Sequence, residues 1–514
     1  MKGTTKTPVR SRLLSVLLSV MMILSLLPVD LAFAETGKKT GWAGVPDGEV
    51  LVKDTVTHIS DGVTSREIIC NVPTGDRQQI DYIAEIEPRD TLKVVSGYGH
   101  DDASKWSLTP TTVQAKAYEE NHPGETVIAG INADFFNMAT GQPMGALVMN
   151  GTEYNAANGR AYFGITKDGK AVVRNTPDLS DLQTAVGGDA ILVQDGKIVV
   201  SSSEYGDIRY SRTAVGVKAD GTIMTFVTYG RRAPISYGRT YYELAQMMQR
   251  GGCVAALALD GGGSSTFCSR PEGTDKLEVR NTPTDGAERE VSSSLLVVST
   301  TQATGVFDHA VLSPNNEVYT PGTQVQFSAV GVDTAGKPVA LPKGVSYALS
   351  EGCENMGTMD AATGLLTTNE ACGTLGVDML LDGKVVGTTT IEVATPDQIY
   401  FANEEISLGF EETTDFGLVV RSQGRDIHIK SGDILWSITD VKTASGEAAA
   451  AEDMGTFDGN SFTSSDGKTL NGNVNAVSKW DESVKGSIHA IVGMLPTVVW
   501  DFEDYVEIGR ASCR

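Results

Sequence analysis

The stretch Thr240–Thr266, TYYELAQMMQRGGCVAALALDGGGSST, decides how the first half of this chain folds. Thr240 with Glu243 three residues later is a capping-box pattern, in which a hydroxyl and a carboxylate satisfy backbone N–H groups at a helix start. Leu244, Met247 and Met248 share one helical face, and Gly251-Gly252 ends the helix. Val254 to Leu259 is an apolar run of the buried-strand kind. It stops at Asp260, and Gly261, Gly262, Gly263, Ser264, Ser265 and Thr266 follow. Glycines lack a β-carbon, so the backbone here is able to approach a ligand and turn its N–H groups toward an anion. A tight turn capped by an aspartate uses the same residues for a plainer purpose.

Working outward, a second strand end has the same character. Val127 to Asn132 is a short apolar strand running into Ala133-Asp134-Phe135-Phe136. The two-residue period of a strand puts Asn132 and Asp134 on the same side. Phe135 and Phe136 offer an apolar or sugar-stacking wall; an Asx turn beside core aromatics is the alternative. Arg212 sits at the mouth of the strand Thr213–Val217, where its planar fork suits phosphate or carboxylate oxygens, or a surface salt bridge. Gly187-Gly188-Asp189 is another acidic turn at a strand start and reads as structural. Thr111 to Asn121 reads as a helix, and Val291 to Ser299 as the last strand of this region. His100 and His122 have no partner spacing that suggests a triad or a metal site, and read as exposed loop or helix-end residues.

The chain has 514 residues, room for about three domains. With 40% hydrophobic and 21% charged residues it reads as folded, and 56 glycines between β-rich runs point to many turns and much sheet. A formal net charge of −24 argues against nucleic acid and anionic lipid as partners. It also means that an anionic substrate needs a local cationic site. Six cysteines are present, none in zinc-site spacing, and neither a metal nor a cofactor is called for. Cys353 with Cys372, and Cys253 with Cys268, are candidate pairs.

Lys2, Lys6, Arg10 and Arg12, then the apolar run Leu13 to Leu27, then Ala32-Phe33-Ala34, form the pattern of a secretory signal peptide cleaved after Ala34. The expected location is therefore secreted or cell-surface. After Thr300 the chain turns to short strands and turns. Gly357 to Thr367 resembles the signature of bacterial immunoglobulin-like domains, with a weaker echo at Gly455-Thr456-Phe457-Asp458 after Trp436. Val498 to Glu503 reads as the first strand of a further, truncated module. Residues Ile508 to Arg514 can be written by a common sequencing adapter read in frame, so an artefact is expected there.

Four motifs in order, Asn132 to Phe136, Gly145 to Gly151, Arg212 to Gly216 and Leu259 to Thr266, resemble the phosphodiester glycosidase domain family, from roughly Val50 to Ser299. The resemblance implies hydrolysis of sugar-1-phosphodiester linkages in a cell-wall or extracellular glycopolymer. It implies Asp134, Asp260 and Arg212 as catalytic residues. It implies substrate contacts from Asn132, Phe135, Phe136, Gly261, Gly262, Gly263, Ser264, Ser265 and Thr266. Glycoside cleavage passes through a cation-like sugar that carboxylates stabilise or attack. Asp134 and Asp260 share the base and nucleophile roles, with the order open, while Arg212 and the Gly261–Gly263 amides stabilise the departing phosphate. A non-catalytic surface protein binding exopolysaccharide in the same cleft is the rival. The expected class is α+β: a mixed β-sheet catalytic domain over 40–300 with a few flanking helices, then all-β immunoglobulin-like sandwich modules over 305–394 and 395–495.

Overall fold

The computed structural model describes residues 42, 44–72, 78–201, 208–230 and 236–493. The expected signal peptide, the truncated module and the adapter-like tail lie outside the described residues. Among these residues the protein is mostly β, with two α-helices. Both stand where the sequence pattern puts them, at Thr111–Asn121 and Tyr241–Arg250, and the Thr240–Glu243 capping box forms in full.

The described residues between Val50 and Ser299 build three sheets around one core. An eight-stranded sheet runs, in spatial order, Val50–Ser60, Val63–Asn71, Gln78–Ile86, Ile223–Thr228, Arg212–Lys218, Cys253–Ala258, Ile191–Gln194 and Lys197–Ile198. Facing it, a five-stranded sheet has Thr126–Asn132 at its centre, between Phe267–Ser269 and Ser293–Ser299. A second five-stranded sheet includes Leu147–Met149, Leu182–Gly187 and Tyr162–Thr166. Ile59, Ala84, Val215 and Leu257 of the first sheet meet Ile131, Leu295 and Val297 of the second and Phe163 and Val186 of the third. This explains why the runs Val127–Ile131 and Ala256–Leu259 are apolar throughout: both faces are covered there, while Val254 at the start of its strand is exposed. The Tyr241–Arg250 helix packs Leu244, Met247 and Met248, all fully buried, against the first sheet. The Thr111–Asn121 helix packs Ala115 and Tyr118 on the second, against Val127, Leu296 and Val298.

Two expectations need correction. The sheets of the first domain are not mixed: every pairing between these strands is antiparallel. A buried apolar strand looks alike in either kind of sheet, so the pattern does not report direction. The five described cysteines are free, against the two candidate pairs. Cys253 and Cys268 lie on different sheets, and the Cys268 thiol reaches the Gly130 carbonyl at 3.5 Å. The Cys353 sulfur accepts from the Gly376 amide at 3.3 Å, while Cys372 is exposed.

Residues 45–49 form a strap. The Arg250 guanidinium donates to the Val45 carbonyl at 2.8 Å and to Asp47 at 2.6 Å. Glu49 and Asp81 together bracket the fully buried Arg239, at 2.9 and 2.5 Å.

From residue 305 to 493 the described residues form strands and turns, with one short 3-10 helix at Ala451–Asp453. Ten strands from His309–Ser313 to Lys384–Val393, and ten more from Gln398–Phe401 to Lys485–Val492, repeat the same sheet order strand for strand. In each set one pairing is parallel: Glu317–Tyr319 with Lys384–Val393, and Glu405–Leu408 with Lys485–Val492. Each set has its own core, and Val318 of the first packs into a cluster of the second with Ile399, Val420 and Ile427. The pattern is compatible with immunoglobulin-like modules.

Candidate active site

The strand pairing brings the motifs to one end of the sheets. Ala214 pairs with Ala258, so Arg212 and Asp260 leave adjacent strands at the same end. The Leu259 amide donates to the Thr213 carbonyl and the Asp260 amide to the Ala133 carbonyl, both at 2.8 Å. Asp134 is thereby held beside Asp260 by backbone, across two different sheets.

Asn132 is the clamp of this junction and has no exposed surface. Its side-chain N–H donates to the Asp260 carbonyl at 2.8 Å; its oxygen accepts from the Thr213 hydroxyl at 2.8 Å and the Thr266 amide at 3.1 Å. Ser264, Ser265 and Thr266 are buried too. Asn132, Ser265 and Thr266 therefore shape the loop from within. Their polar groups are engaged within the protein, the Ser265 hydroxyl accepting from Thr213 and the Thr266 hydroxyl donating to the Ser264 carbonyl, both at 3.2 Å.

The three glycines are used differently from expectation. The Gly261 amide donates to the Asp260 carboxylate at 2.8 Å, and the Gly262 amide to the Ser211 carbonyl at 2.9 Å. Two of the three N–H groups are thus committed within the protein, which undercuts a backbone anion nest. Each glycine still has a steric reason. A Cβ at Gly263 would stand 2.1 Å from the Arg289 guanidinium, and one at Gly261 2.7 Å from the Ser211 carbonyl. At Gly262 a Cβ meets nothing, but the backbone turns at φ +65°, where a side chain is strained.

Asp134 lies in a glycine cradle. The Gly145 amide donates to its Oδ2 at 2.6 Å, and a Cβ at Gly187 would sit 2.4 Å from that oxygen. Its Oδ1 is buried with no hydrogen-bond partner. Burial pushes the carboxyl up to about 7, against the pull of the Gly145 amide and the Arg160 guanidinium, with the Asp260 charge adding to the rise. Asp260 is half-buried. Burial pushes it up to about 6, against the Ser264 hydroxyl, the Gly261 amide and the Arg289 charge.

Three guanidinium groups lie at this end of the sheets, and the charges of two, Arg160 and Arg289, act on Asp134 and Asp260 respectively. Arg212 lies over the Tyr241 ring at 4.2 Å and the Tyr210 ring at 5.2 Å, and donates to the Arg239 and Ile208 carbonyls at 3.1 Å each. Arg160 stands over Phe135 at 5.4 Å and donates to the Gly188 carbonyl at 3.0 Å. Arg289 reaches toward the Ser264 hydroxyl at 3.5 Å and pairs with Asp285. Phe136, by contrast, is buried in the core and forms no wall.

Asp189, which reads from sequence as a structural turn, ties this ring together. Its carboxylate accepts from the Tyr241 hydroxyl at 2.9 Å and pairs with Arg160 at 3.5 Å, and its charge is felt by Asp260. Arg160, Tyr241 and Arg289 escape the sequence reading because no local pattern marks them. The one usable signal is the glycine pair before Asp189, since Gly187 makes room for Asp134 and a Cβ at Gly188 would meet Leu257 at 2.6 Å.

Residues 125–298, the stretch that contributes Asp134, Arg160, Arg212, Asp260 and Arg289 to this end of the sheets, match the phosphodiester glycosidase family. The mouse N-acetylglucosamine-1-phosphodiester alpha-N-acetylglucosaminidase is 28% identical over 159 residues, 26% of this chain and 30% of the mouse protein. The bovine protein of the same name is 28% identical over 177 residues, 30% of this chain and 33% of the bovine protein. The matches thus span about a third of these relatives' length. The zebrafish catalytic domain of that name superposes with a TM-score of 0.38 at 21% identity, covering 49% of this chain and 88% of that one.

Proposed function

We propose that this protein is a glycosidase that hydrolyses sugar-1-phosphodiesters, and that the sugar is of the N-acetylglucosamine type named in its relatives. One observation carries the reading: two adjacent carboxylates with raised pKa values, Asp134 and Asp260, sit among Arg160, Arg212 and Arg289. Carboxylates stabilise or attack a cation-like sugar. Guanidinium groups hold a leaving phosphate and its developing charge.

In this reading the sugar C1–O bond breaks and the phosphate monoester departs toward the arginines. Its low basicity makes strong protonation unnecessary. Asp260 is the more exposed of the pair, so it acts as the base for water or as the nucleophile. Burial favours the protonated form of Asp134, and with Oδ2 taken by the Gly145 amide the proton falls to Oδ1, the donor while charge develops. Asp189 and Tyr241 keep Arg160 and Arg212 at fixed stations. Phe135, half-buried beneath Arg160, is the remaining aromatic for a sugar face.

The protein is further read as secreted after cleavage at Ala34. Immunoglobulin-like modules over 305–394 and 395–495 would keep the enzyme close to a cell-wall or extracellular glycopolymer. The test is release of free sugar from methyl N-acetylglucosamine-1-phosphodiester. Asp260→Asn is expected to abolish release while the folded signal in circular dichroism stays unchanged. Release at the wild-type rate by Asp260→Asn removes the assignment. Wild-type protein that binds the diester without turnover supports the rival, a binding protein.

A further inference from the structure

The end of the eight-stranded sheet that carries Arg212 and Asp260 continues sideways. Arg212 pairs with Thr228, Thr228 with Asp81, and Gln78 and Asn71 close the same end on the next strands. There the second β-module is docked. The Gln78 side chain donates to the Gly424 carbonyl at 2.8 Å, and a Cβ at Gly424 would strike Val52 at 2.7 Å and Asn71 at 2.8 Å. Beside this contact lies a cavity of about 360 Å³, with Asn71 and Gln78 on one side and Gln398, Tyr400, Arg421 and Lys485 on the other. Strand spacing and rise place Gln78 about 14 Å from Arg212 along this sheet end.

We propose that this cavity is a second glycan subsite, shared by the catalytic domain and the second module, which takes sugar-phosphate units further along the polymer being cleaved. The inference rests on the proposed glycosidase activity. The chemistry of the walls supports it. Gln398 brings an exposed amide, which pairs with sugar hydroxyls, while the Gln78 N–H groups hold the wall in place through Asn71 Oδ1 at 3.2 Å and the Gly424 carbonyl at 2.8 Å. Tyr400 brings an aromatic ring and a hydroxyl. Lys485 brings a cation for phosphate oxygens beside the Arg421–Asp426 pair, while the Asp397 carboxylate on the same wall is held by the Gln423 amide at 2.7 Å. Arg421 is already oriented, over the Tyr400 ring at 5.4 Å and bonded to Asp426 at 2.7 Å, so fixing it on a ligand costs little further side-chain entropy. The cavity volume lies in the range of small-ligand sites. The module thus becomes part of the substrate path, in addition to any role as a spacer.

The experiment is calorimetric titration of the full chain carrying Asp260→Asn, so that nothing is cleaved. Two probes are used: methyl N-acetylglucosamine-1-phosphodiester, and an oligomer of N-acetylglucosamine-1-phosphate units. The oligomer is expected to bind about tenfold tighter than the single unit, roughly 1.4 kcal/mol. Adding Gln398→Ala or Tyr400→Ala should remove most of that advantage. Gln398 is exposed, so its loss does not threaten the fold. Oligomer binding that is no tighter than the single unit, or that survives both substitutions, overturns the proposal. Failure of the parent reading shows elsewhere, as wild-type protein that releases no sugar from either probe.

Discussion

Gly187→Ala tests the placement of Asp134 without touching any polar group. The new Cβ would stand 2.4 Å from Asp134 Oδ2, 2.7 Å from its Cγ and 2.8 Å from the Gly145 Cα. Restoring an ordinary contact moves the carboxylate by about 1 Å, because non-bonded carbon contacts settle near 3.5 Å. The Gly145 N–H bond, now 2.6 Å, then stretches past hydrogen-bond range. Overpacking of this kind costs about 1–3 kcal/mol of stability, or roughly 2–10 °C in Tm for a domain of this size. A misplacement of about 1 Å lowers catalysis on the order of 100-fold, which is about 2.7 kcal/mol in the barrier. The assay is kcat/KM for methyl N-acetylglucosamine-1-phosphodiester beside a thermal melt. Gly169→Ala is the control. It turns at φ +84° with no atom within 4 Å of the new Cβ, so it carries backbone strain alone and should leave kcat/KM unchanged. Wild-type kcat/KM in Gly187→Ala would refute the reasoning, since Asp134 would then be free to move or irrelevant to turnover.

With Asp260 pushed up to about 6 and Asp134 to about 7, kcat/KM should follow a narrow bell between those values, with the pair titrating as a unit. A raised carboxyl pKa means that the folded state binds more protons than the unfolded one, so this stability contribution is present below pH 4 and is lost as pH rises toward 7. Asp134→Asn, which has no such titration, should therefore gain on wild type in melts as pH goes from 5 to 8, and a difference independent of pH would count against the burial argument. Asn132→Ala leaves the Thr266 amide and the Asp260 carbonyl without this partner, while the Thr213 hydroxyl keeps Ser265 at 3.2 Å; at about 1–3 kcal/mol for each of the two groups, the domain should melt far lower or fail to fold. Arg239→Ala strands Asp81 and Glu49, and breaking a buried pair in this way costs about 3–5 kcal/mol; denaturant titration should show it, and an unchanged midpoint would contradict the burial of the triad.

Elements carried by local pattern are legible in the amino-acid sequence. The helix Tyr241–Arg250 follows from its capping box and its apolar stripe. The two strand ends at Asp134 and Asp260 follow from apolar runs that stop at carboxylates. Their adjacency does not follow, because the strands belong to different sheets and meet through the buried Asn132 amide. Strand direction is hidden for the same reason that both strands are easy to find: they are apolar on both faces. The role expected of the glycine amides fails because a glycine-rich run has the same sequence whether its N–H groups face a ligand or the protein. Asp189 looks like any acidic turn along the chain, since its meaning comes from Tyr241 and Arg160, which lie 52 and 29 positions away.

The strap at residues 45–49 gives the chain's early part a mechanical hold on the site. Glu49 grips the Arg239 guanidinium, and the carbonyl of that same residue accepts from Arg212. A trimming event upstream of Gly44 leaves this linkage whole. A cut that removes Glu49 withdraws one of the two counter-charges from a sealed arginine and slackens the backbone on which Arg212 leans. Loss of Glu49 would thus reach Arg212 through backbone alone, without any change to Arg212 itself.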